Sequence, residues 1–199
     1  MDKTNILARH DPCILQSYLP NPYSHLNNPR DRHHFDQTVK ILRDKNLKTV
    51  LDIGCYDGWL DFLLIDMGYD VTGIELIPVL VKSALNYVTN KNIDYKIMEG
   101  FFQDLEIKDK FDAVICYETL EHIPFEDIPA FIKKMEYIVL KTIIVSLPNQ
   151  KCEDNIQHQW TPTIEVIHDI FKDKKNFSVT LANYPRTGVP SNWIISYDI

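Results

Sequence analysis

Two glycines and a glutamate mark the stretch of sequence best suited to hold a ligand. In the segment VLDIGCYDG, an apolar run leads directly into Gly54 and Gly58, and Glu75 ends the next β-rich run. Glycine lets a backbone approach a ligand closely because it has no Cβ. A glutamate carboxylate at the end of a strand can accept hydrogen bonds from both hydroxyls of a ribose. This pattern predicts a nucleoside site.

A second group of polar residues follows a later apolar run and is suited to proton transfer. The run FDAVICY leads into ETLEHIP, which contains Glu118, Glu121 and His122. Histidine can act as the general base for a hydroxyl acceptor because its ordinary pKa is near neutrality. A structural role for His122, orienting its loop, is an equal alternative. His158 could join these residues as a metal ligand, but we expect no metal.

Alternating β-rich and helical stretches must position these residues. The runs KTVLDIG, DVTGIEL, DYKIMEG, FDAVICYE and TIIVSLP read as strands separated by helices, which predicts an α/β fold with a doubly wound, mostly parallel sheet. Only about six residues separate the last two runs, FSVTLANYP and NWIISYDI, too few for a parallel crossover. We expect this pair to be antiparallel. Thr161 is expected to cap the helix that follows it. Asp57 and Asp61 are expected to be charges that a helix N-terminus stabilises.

Composition and charge narrow the class of protein. The chain has 199 residues, a net charge of −7 and 45% hydrophobic residues, which suits one globular domain and disfavours nucleic acid as a partner. Its start lacks the apolar core of a signal peptide, and no run has the roughly 20 apolar residues of a membrane span. The four cysteines show no CxxC spacing. We expect free thiols and a cytoplasmic location.

The combined pattern is more specific than any of its parts. VLDIGCYDG, Glu75, FDAVICYETLEHI and the antiparallel last strand together resemble the class I S-adenosylmethionine-dependent methyltransferases, of the ubiquinone-pathway or sugar O-methyltransferase type. The resemblance implies a Rossmann-like domain over residues 33–199, with a seven-stranded sheet in the order 3-2-1-4-5-7-6. Residues 1–32 would form an N-terminal segment that can cover the acceptor site. A nicotinamide dinucleotide would require GxGxxG, which this turn lacks.

The resemblance also implies S-adenosylmethionine as the cofactor and a role for each matching residue. The implied contacts are Asp52 near the methionine amino group, Gly54 and Cys55 through their backbone, Gly58 in helix packing, Glu75 at the ribose, Leu76 beside the adenine, and Tyr117 and Glu118 at the methionine end.

Two positions depart from the family pattern. Tyr56 stands where the middle glycine of GxGxG is usual, and Phe101 replaces the acid that usually meets the adenine amino group. Phe101 could pack on the adenine face, with Gln103 or a backbone carbonyl accepting from the amino group. These departures leave open a methyltransferase-like module that binds a partner and has lost catalysis.

The favoured function is methyl transfer to a small-molecule or glycan-like acceptor, at oxygen. The alternatives are the partner-binding module, a nicotinamide-dependent oxidoreductase and a metal-assisted RNA 2′-O-methyltransferase. Aromatic residues that could line an acceptor cleft are Tyr18, Tyr23, His25, Trp160 and Tyr184, and packing is the competing role for each.

Overall fold

Helices and strands alternate along residues 21–149, 158–183 and 190–199, which the computed structural model describes. The helices are α1 (Pro22–His25), α2 (Pro29–Asp44), α3 (Trp59–Asp66), α4 (Pro78–Lys91), α5 (Ile128–Ile138) and α6 (Ile164–Phe171). The strands are β1 (Thr49–Ile53), β2 (Asp70–Glu75), β3 (Lys96–Glu99), β4 (Phe111–Tyr117), β5 (Val139–Pro148), β6 (Lys175–Asn183) and β7 (Pro190–Asp198). Two 3₁₀ turns, Leu120–His122 and Phe125–Asp127, connect β4 to α5.

The seven strands form one sheet in the order β3-β2-β1-β4-β5-β7-β6. Strands β1 to β5 are parallel, whereas β7 is antiparallel to both β5 and β6. The prediction of a doubly wound, Rossmann-like sheet with an antiparallel last strand is therefore confirmed. The carboxyl ends of β1, β2 and β4 meet at one edge of the sheet, at the position where open α/β folds bind their ligands.

The central strand explains why the sheet is covered on both sides. Residues Ala113 to Cys116 of β4 are all fully buried. Alternate residues of the strand join two different apolar clusters, one with α5 and α6 and the other with α2 and α3. Full burial of one large aliphatic or aromatic side chain stabilises the fold by roughly 1.5–3 kcal/mol. The strand ends that carry the polar residues are thus held by a core on each face.

Two local expectations were wrong. Helix α6 begins at Ile164, because the Thr163 hydroxyl accepts from the Val166 amide at 3.4 Å and Thr161 does not cap it. The apolar spacing at positions 81, 84, 85 and 88 predicts that Leu85 faces inward from α4, but Leu85 is 43% exposed because the buried face centres on Leu80, Ala84 and Val88.

The expected boundary between the N-terminal segment and the domain, at residue 32, falls inside a helix. Helix α2 begins at Pro29, where the Asn28 side chain accepts from the Arg30 amide at 2.9 Å, so it continues across the expected boundary at residue 32. Residues 1–20 of the expected lid, with Tyr18 and Cys13, lie outside the described residues, as do Cys152 and Tyr184. No helix among the described residues is long and apolar enough to cross a membrane.

Candidate cofactor and acceptor site

A cavity of about 280 Å³ opens at the carboxyl ends of β1, β2 and β4. Its walls come from the turns after these three strands and from the loop after β3. The lining residues are Ile53, Gly54, Tyr56, Ile74, Glu75, Leu76, Ile77, Gly100, Phe101, Phe102, Gln103, Glu118, Thr119, His122, Ile123 and Phe131. The cavity therefore joins both groups of polar residues that the sequence singled out.

Glu75 is fixed at one end of this cavity by backbone donors. Its two carboxylate oxygens accept from the amides of Tyr56 at 2.9 Å and Ile77 at 2.8 Å. Burial raises the pKa of Glu75 to about 7, against these stabilising hydrogen bonds. Since each oxygen has a second lone pair, the carboxylate can still accept from two further hydroxyls.

The two glycines of the first turn are required by packing inside the protein. A Cβ at Gly54 would lie 2.2 Å from the Thr119 hydroxyl, and one at Gly58 would lie 2.7 Å from the Phe62 ring. Both glycines also have a positive φ, +78° and +79°. The contact at Gly58 is with α3, as expected for helix packing, and the contact at Gly54 is with Thr119, while Gly54 also lines the cavity.

Gly54 and Cys55 were expected to offer backbone contacts to the cofactor. Both of their N–H groups donate to the Ile74 carbonyl, at 2.8 and 3.1 Å. The Cys55 thiol is free and buried, and its Sγ atom lies 3.5 Å from the Tyr95 hydroxyl oxygen. The side chain of Cys55 therefore points away from the cavity that Gly54 lines.

Asp52 belongs to a buried polar cluster behind the cavity wall. Asp61 lies beside it and accepts a hydrogen bond from the Tyr95 hydroxyl. Burial and the neighbouring Asp61 carboxyl raise the pKa of Asp52 well above its usual range, and burial raises the pKa of Asp61 to about 7. Gly73 makes room for the cluster, because a Cβ there would lie 2.1 Å from the Tyr95 hydroxyl oxygen.

Asp57 precedes α3 and Asp61 lies in its first turn, as expected for acids at a helix N-terminus. Both are fully buried. Asp57 accepts from the Trp59 amide at 3.2 Å, as a residue before a helix should. Asp61 turns inward because it lies on the buried face of α3, a position that apolar periodicity did not reveal.

Tyr117 and Glu118 end β4 but face different surroundings. The Tyr117 hydroxyl hydrogen-bonds to Thr38 of α2 at 2.6 Å, outside the cavity lining. Glu118 lines the cavity, has a strained φ of +46°, and accepts from the Ser146 hydroxyl. His34 of α2 lies on the other side of that hydroxyl, with Nε2 at 3.0 Å. Helix α2 thus supports the polar end of the cavity.

Glu121, His122 and His158 come together at the same end. Their ligand atoms all lie within 4.8 Å of one another, and Glu121 Oε1 is 3.9 Å from His122 Nε2. The segment with His158 is held by the Gln159 amide, which donates to the Glu121 carbonyl at 2.7 Å. One carboxylate and two imidazoles at this spacing can hold a divalent cation. The sequence analysis named His158 as a possible ligand beside these residues but expected no metal, and the structure brings the three residues together.

Three other aromatic candidates fall within the described residues, and none of the three lines the cavity. The Tyr23 hydroxyl donates to Asp66, the His25 ring stacks on Trp59 at 4.9 Å, and the indole of Trp160 donates to the Leu120 carbonyl at 3.1 Å.

The cavity fits an uncharged nucleoside joined to a cationic group better than a phosphate. Among the described residues, the charged groups in its lining are Glu75 and Glu118, with His122 beside them, and neither lysine nor arginine lines it. Apolar groups, including Leu76, Ile77 and Phe101, form much of the remaining wall. S-Adenosylmethionine combines an adenine, a ribose and a sulfonium, which match these three surroundings.

Comparisons with known proteins agree with this geometry. Residues 50–141 match the family described as methyltransferase domain. The chain is 32% identical over 118 residues to a ubiquinone biosynthesis O-methyltransferase of Rickettsia bellii (strain OSU 85-389), covering 59% of this chain and 42% of that protein. The chain thus spans under half the length of this curated relative.

Solved structures show the same fold. Magnesium protoporphyrin IX methyltransferase from Synechocystis PCC 6803, with bound S-adenosylhomocysteine, superposes with a TM-score of 0.75 at 18% identity, covering 100% of this chain and 99% of that one. The N-methyltransferase NodS from Bradyrhizobium japonicum WM9, also with S-adenosylhomocysteine, gives 0.74 at 14% identity, covering 100% and 98%.

The strand order and the position of the cavity define a Rossmann-like methyltransferase fold. Residues 50–141, just under half of the chain, match a methyltransferase domain, and the fold is the one that class I S-adenosylmethionine-dependent methyltransferases have.

Proposed function

We propose that this protein transfers a methyl group from S-adenosylmethionine to a hydroxyl of a small-molecule acceptor. The observation that carries the proposal is the continuity of one cavity from the Glu75 carboxylate to Glu118 and His122. The name of the Rickettsia relative, a ubiquinone biosynthesis O-methyltransferase, supports oxygen as the accepting atom and a small molecule as the acceptor. A glycan-like acceptor remains the alternative within the same reaction.

The chain's own residues would divide the work along the cavity. Glu75 would accept from the two ribose hydroxyls, and Leu76 and Phe101 would pack against the base. Glu118 would favour positive charge at the far end, where the apolar wall excludes water. The cofactor, when bound, supplies a methyl group on a positively charged sulfur.

Proton removal from the acceptor is the second task. Methyl transfer to an alcohol or phenol releases one proton, which His122 is placed to accept because it lines the cavity. Glu121 Oε1, 3.9 Å from His122 Nε2, would stabilise the resulting imidazolium. Alignment of the acceptor oxygen by the cavity would supply much of the rate.

Calorimetric titration tests the cofactor first. We expect S-adenosylmethionine and S-adenosylhomocysteine to bind at micromolar concentration, and NAD and NADP not to bind. Binding of the dinucleotides instead would favour the oxidoreductase. Binding of the first pair, followed by no transfer of labelled methyl groups to catechols, phenols or sugars, would contradict the proposed reaction and favour the partner-binding module.

The cluster of Glu121, His122 and His158 supports a second candidate, in which a divalent cation assists the transfer. Such a cation would hold the acceptor oxygen and lower the pKa of its hydroxyl group. RNA with a ribose 2′-hydroxyl would then be an alternative acceptor, although the net charge of −7 opposes it. Methyl transfer to a catechol and to a short RNA, each with Mg²⁺ and with EDTA, separates these cases.

The cytoplasm is the proposed compartment. The free, buried thiols of Cys55 and Cys116 support a reducing environment.

A further inference from the structure

Glu118, at the polar end of the cavity, is held in place by a serine of the neighbouring strand. Its amide donates to the Ser146 carbonyl at 3.1 Å, and its carboxylate accepts from the Ser146 hydroxyl. The Asn192 side chain of β7 also hydrogen-bonds to this carboxylate. Since the φ of Glu118 is +46°, a conformation unfavourable for a residue with a Cβ, surrounding bonds must keep it there. Glu118 is therefore oriented by its neighbours.

A histidine of α2 extends the contact between Ser146 and Glu118. His34 Nε2 lies 3.0 Å from the Ser146 hydroxyl oxygen. A serine hydroxyl has one proton, and Ser146 donates it to Glu118. The Ser146 oxygen can therefore only accept from His34, so the ring proton of His34 must be on Nε2. The hydrogen bonds run in one direction, from His34 through Ser146 to the Glu118 carboxylate.

Helix α2 fixes His34 as a neutral donor. The imidazole is almost fully buried, and burial lowers the pKa of His34 to about 3. One turn later, the Thr38 hydroxyl donates to the His34 carbonyl at 2.8 Å and hydrogen-bonds to the Tyr117 hydroxyl at 2.6 Å. The Tyr117 ring centroid lies 4.8 Å from that of His34. Helix and strand thus hold the imidazole in one place beside Ser146.

We propose that His34, acting through Ser146, is a positioning residue that holds the Glu118 carboxylate and lets the cavity distinguish a positively charged ligand from a neutral one. A carboxylate held by fixed donors can stabilise a positive charge without reorganising. This inference rests on the proposed function, in which S-adenosylmethionine carries a sulfonium and the product S-adenosylhomocysteine a neutral thioether. The held carboxylate should therefore favour the substrate over the product.

Calorimetric titration with both ligands measures this distinction as the ratio of their affinities. In Ser146→Ala, which removes the hydroxyl that contacts Glu118, we expect the ratio to shift about tenfold toward S-adenosylhomocysteine, a difference of about 1.4 kcal/mol. His34→Phe keeps an aromatic ring beside Tyr117 but removes the donor, and should shift the ratio about threefold to fivefold. His34→Gln supplies an amide donor and should restore the ratio to within about twofold of the wild-type value.

A double variant tests whether His34 acts through Ser146. Adding His34→Phe to Ser146→Ala should shift the ratio no further. His33→Phe is the matched control, because His33 lies on the same helix and outside the cavity lining, and it should keep the wild-type ratio. A role in stability alone would leave the ratio unchanged in every variant. Equal ratios in the His34→Phe and wild-type proteins, or additive effects in the double variant, would overturn the proposal.

Nitrogen-15 spectra of the histidine rings test the direction of the hydrogen bonds. The His34 signal, identified by its absence from His34→Phe, should show the ring proton on Nε2. A proton on Nδ1 would overturn the proposal, because Ser146 would then donate to His34 instead of Glu118. If the wild-type protein binds neither ligand, the proposed function itself fails and takes this inference with it. Binding of both with an unchanged ratio in the variants would overturn this inference alone.

Discussion

Two buried glutamates, Glu75 at the end of β2 and Glu121 after β4, lie on either side of β1 at the same edge of the sheet and have different surroundings. Each oxygen of Glu75 accepts from a backbone amide. In contrast, Oε2 of Glu121 is buried without a partner, and the imidazoles of His122 and His158 lie beside the carboxyl group. Burial, with the nearby Glu118 carboxyl, raises the pKa of Glu121 well above its usual range.

This difference separates a preorganised binding site from one that is completed only when a proton or ligand binds. The fold alone orients Glu75, so its carboxylate can bind hydroxyls without rearrangement. The Glu121 group is stable only with an added proton or cation, because a buried, unpaired carboxylate is costly. The cofactor half of the cavity is therefore preorganised, whereas the acceptor half is completed by what it binds.

Removing the preorganised carboxylate of Glu75 should have the largest effect. Glu75→Ala deletes the acceptor for two ribose hydroxyls, and each charge-assisted bond contributes about 1.5–3 kcal/mol. We expect the affinity for S-adenosylhomocysteine to fall at least about 100-fold by calorimetry. Glu99→Ala is the matched control, since Glu99 is the exposed partner of Glu75 in the β2–β3 register. Equal affinities of the Glu75→Ala and wild-type proteins would refute the position of the ribose.

Altering the partly unpaired carboxyl group of Glu121 should affect the binding of a different ligand, a divalent cation. In Glu121→Gln, we expect Mn²⁺ affinity, followed by electron paramagnetic resonance, to fall at least about tenfold, because a carboxylate ligand is lost. S-Adenosylhomocysteine affinity should stay within about twofold. Glu126→Gln, in the exposed 3₁₀ turn nearby, should leave both unchanged. Failure of the wild-type protein to bind Mn²⁺ would leave protonation as the state of Glu121.

Lowering the pH should reversibly weaken cofactor binding at Glu75. The raised pKa of Glu75, about 7, means that its carboxyl is protonated at pH 5.5 and ionised at pH 8. The ionised form accepts from both hydroxyls, so ligand binding favours loss of the proton. We expect S-adenosylhomocysteine to bind about fivefold to tenfold more tightly at pH 8. A flat profile across this range would show that Glu75 is already ionised at pH 5.5.

Much of the fold could be predicted from sequence because its signals are local. Strand periodicity, the all-apolar β4 and the short last connection predict a mostly parallel sheet with an antiparallel last pair, and the family resemblance implied the strand order. The predictions for Leu85 and Thr161 were wrong because a small shift along the sequence changes which side chain faces the core or caps the helix.

The site was harder to predict from sequence because it depends on contacts between distant segments. Glu75 and His122 carry recognisable chemistry at recognisable positions, and both line the cavity. The contact of Gly54 with Thr119 and the burial of Asp61 against Tyr95 join segments that sequence spacing does not relate. The same is true of His158, whose role depends on how its segment folds back to Glu121.

The smallest expected effect concerns the turn that holds Glu75. Tyr56 donates its amide to Glu75 from a left-handed conformation, φ +56°, which costs a residue with a Cβ about 1–2 kcal/mol. Tyr56→Gly should remove that cost but increase the entropy of the unfolded chain, so the free energy of unfolding should rise by up to about 1 kcal/mol.

Urea denaturation measures this change, and Asn92→Gly is the control at another positive φ, +53°, because asparagine already tolerates that conformation. The gain at Asn92 should be smaller. S-Adenosylhomocysteine affinity of Tyr56→Gly should fall no more than severalfold, since the amide that orients Glu75 remains. A loss of stability larger than about 1 kcal/mol would mean that packing of the half-exposed Tyr56 ring outweighs its backbone strain. The preorganisation of Glu75 would then depend on a side chain as well as on backbone amides.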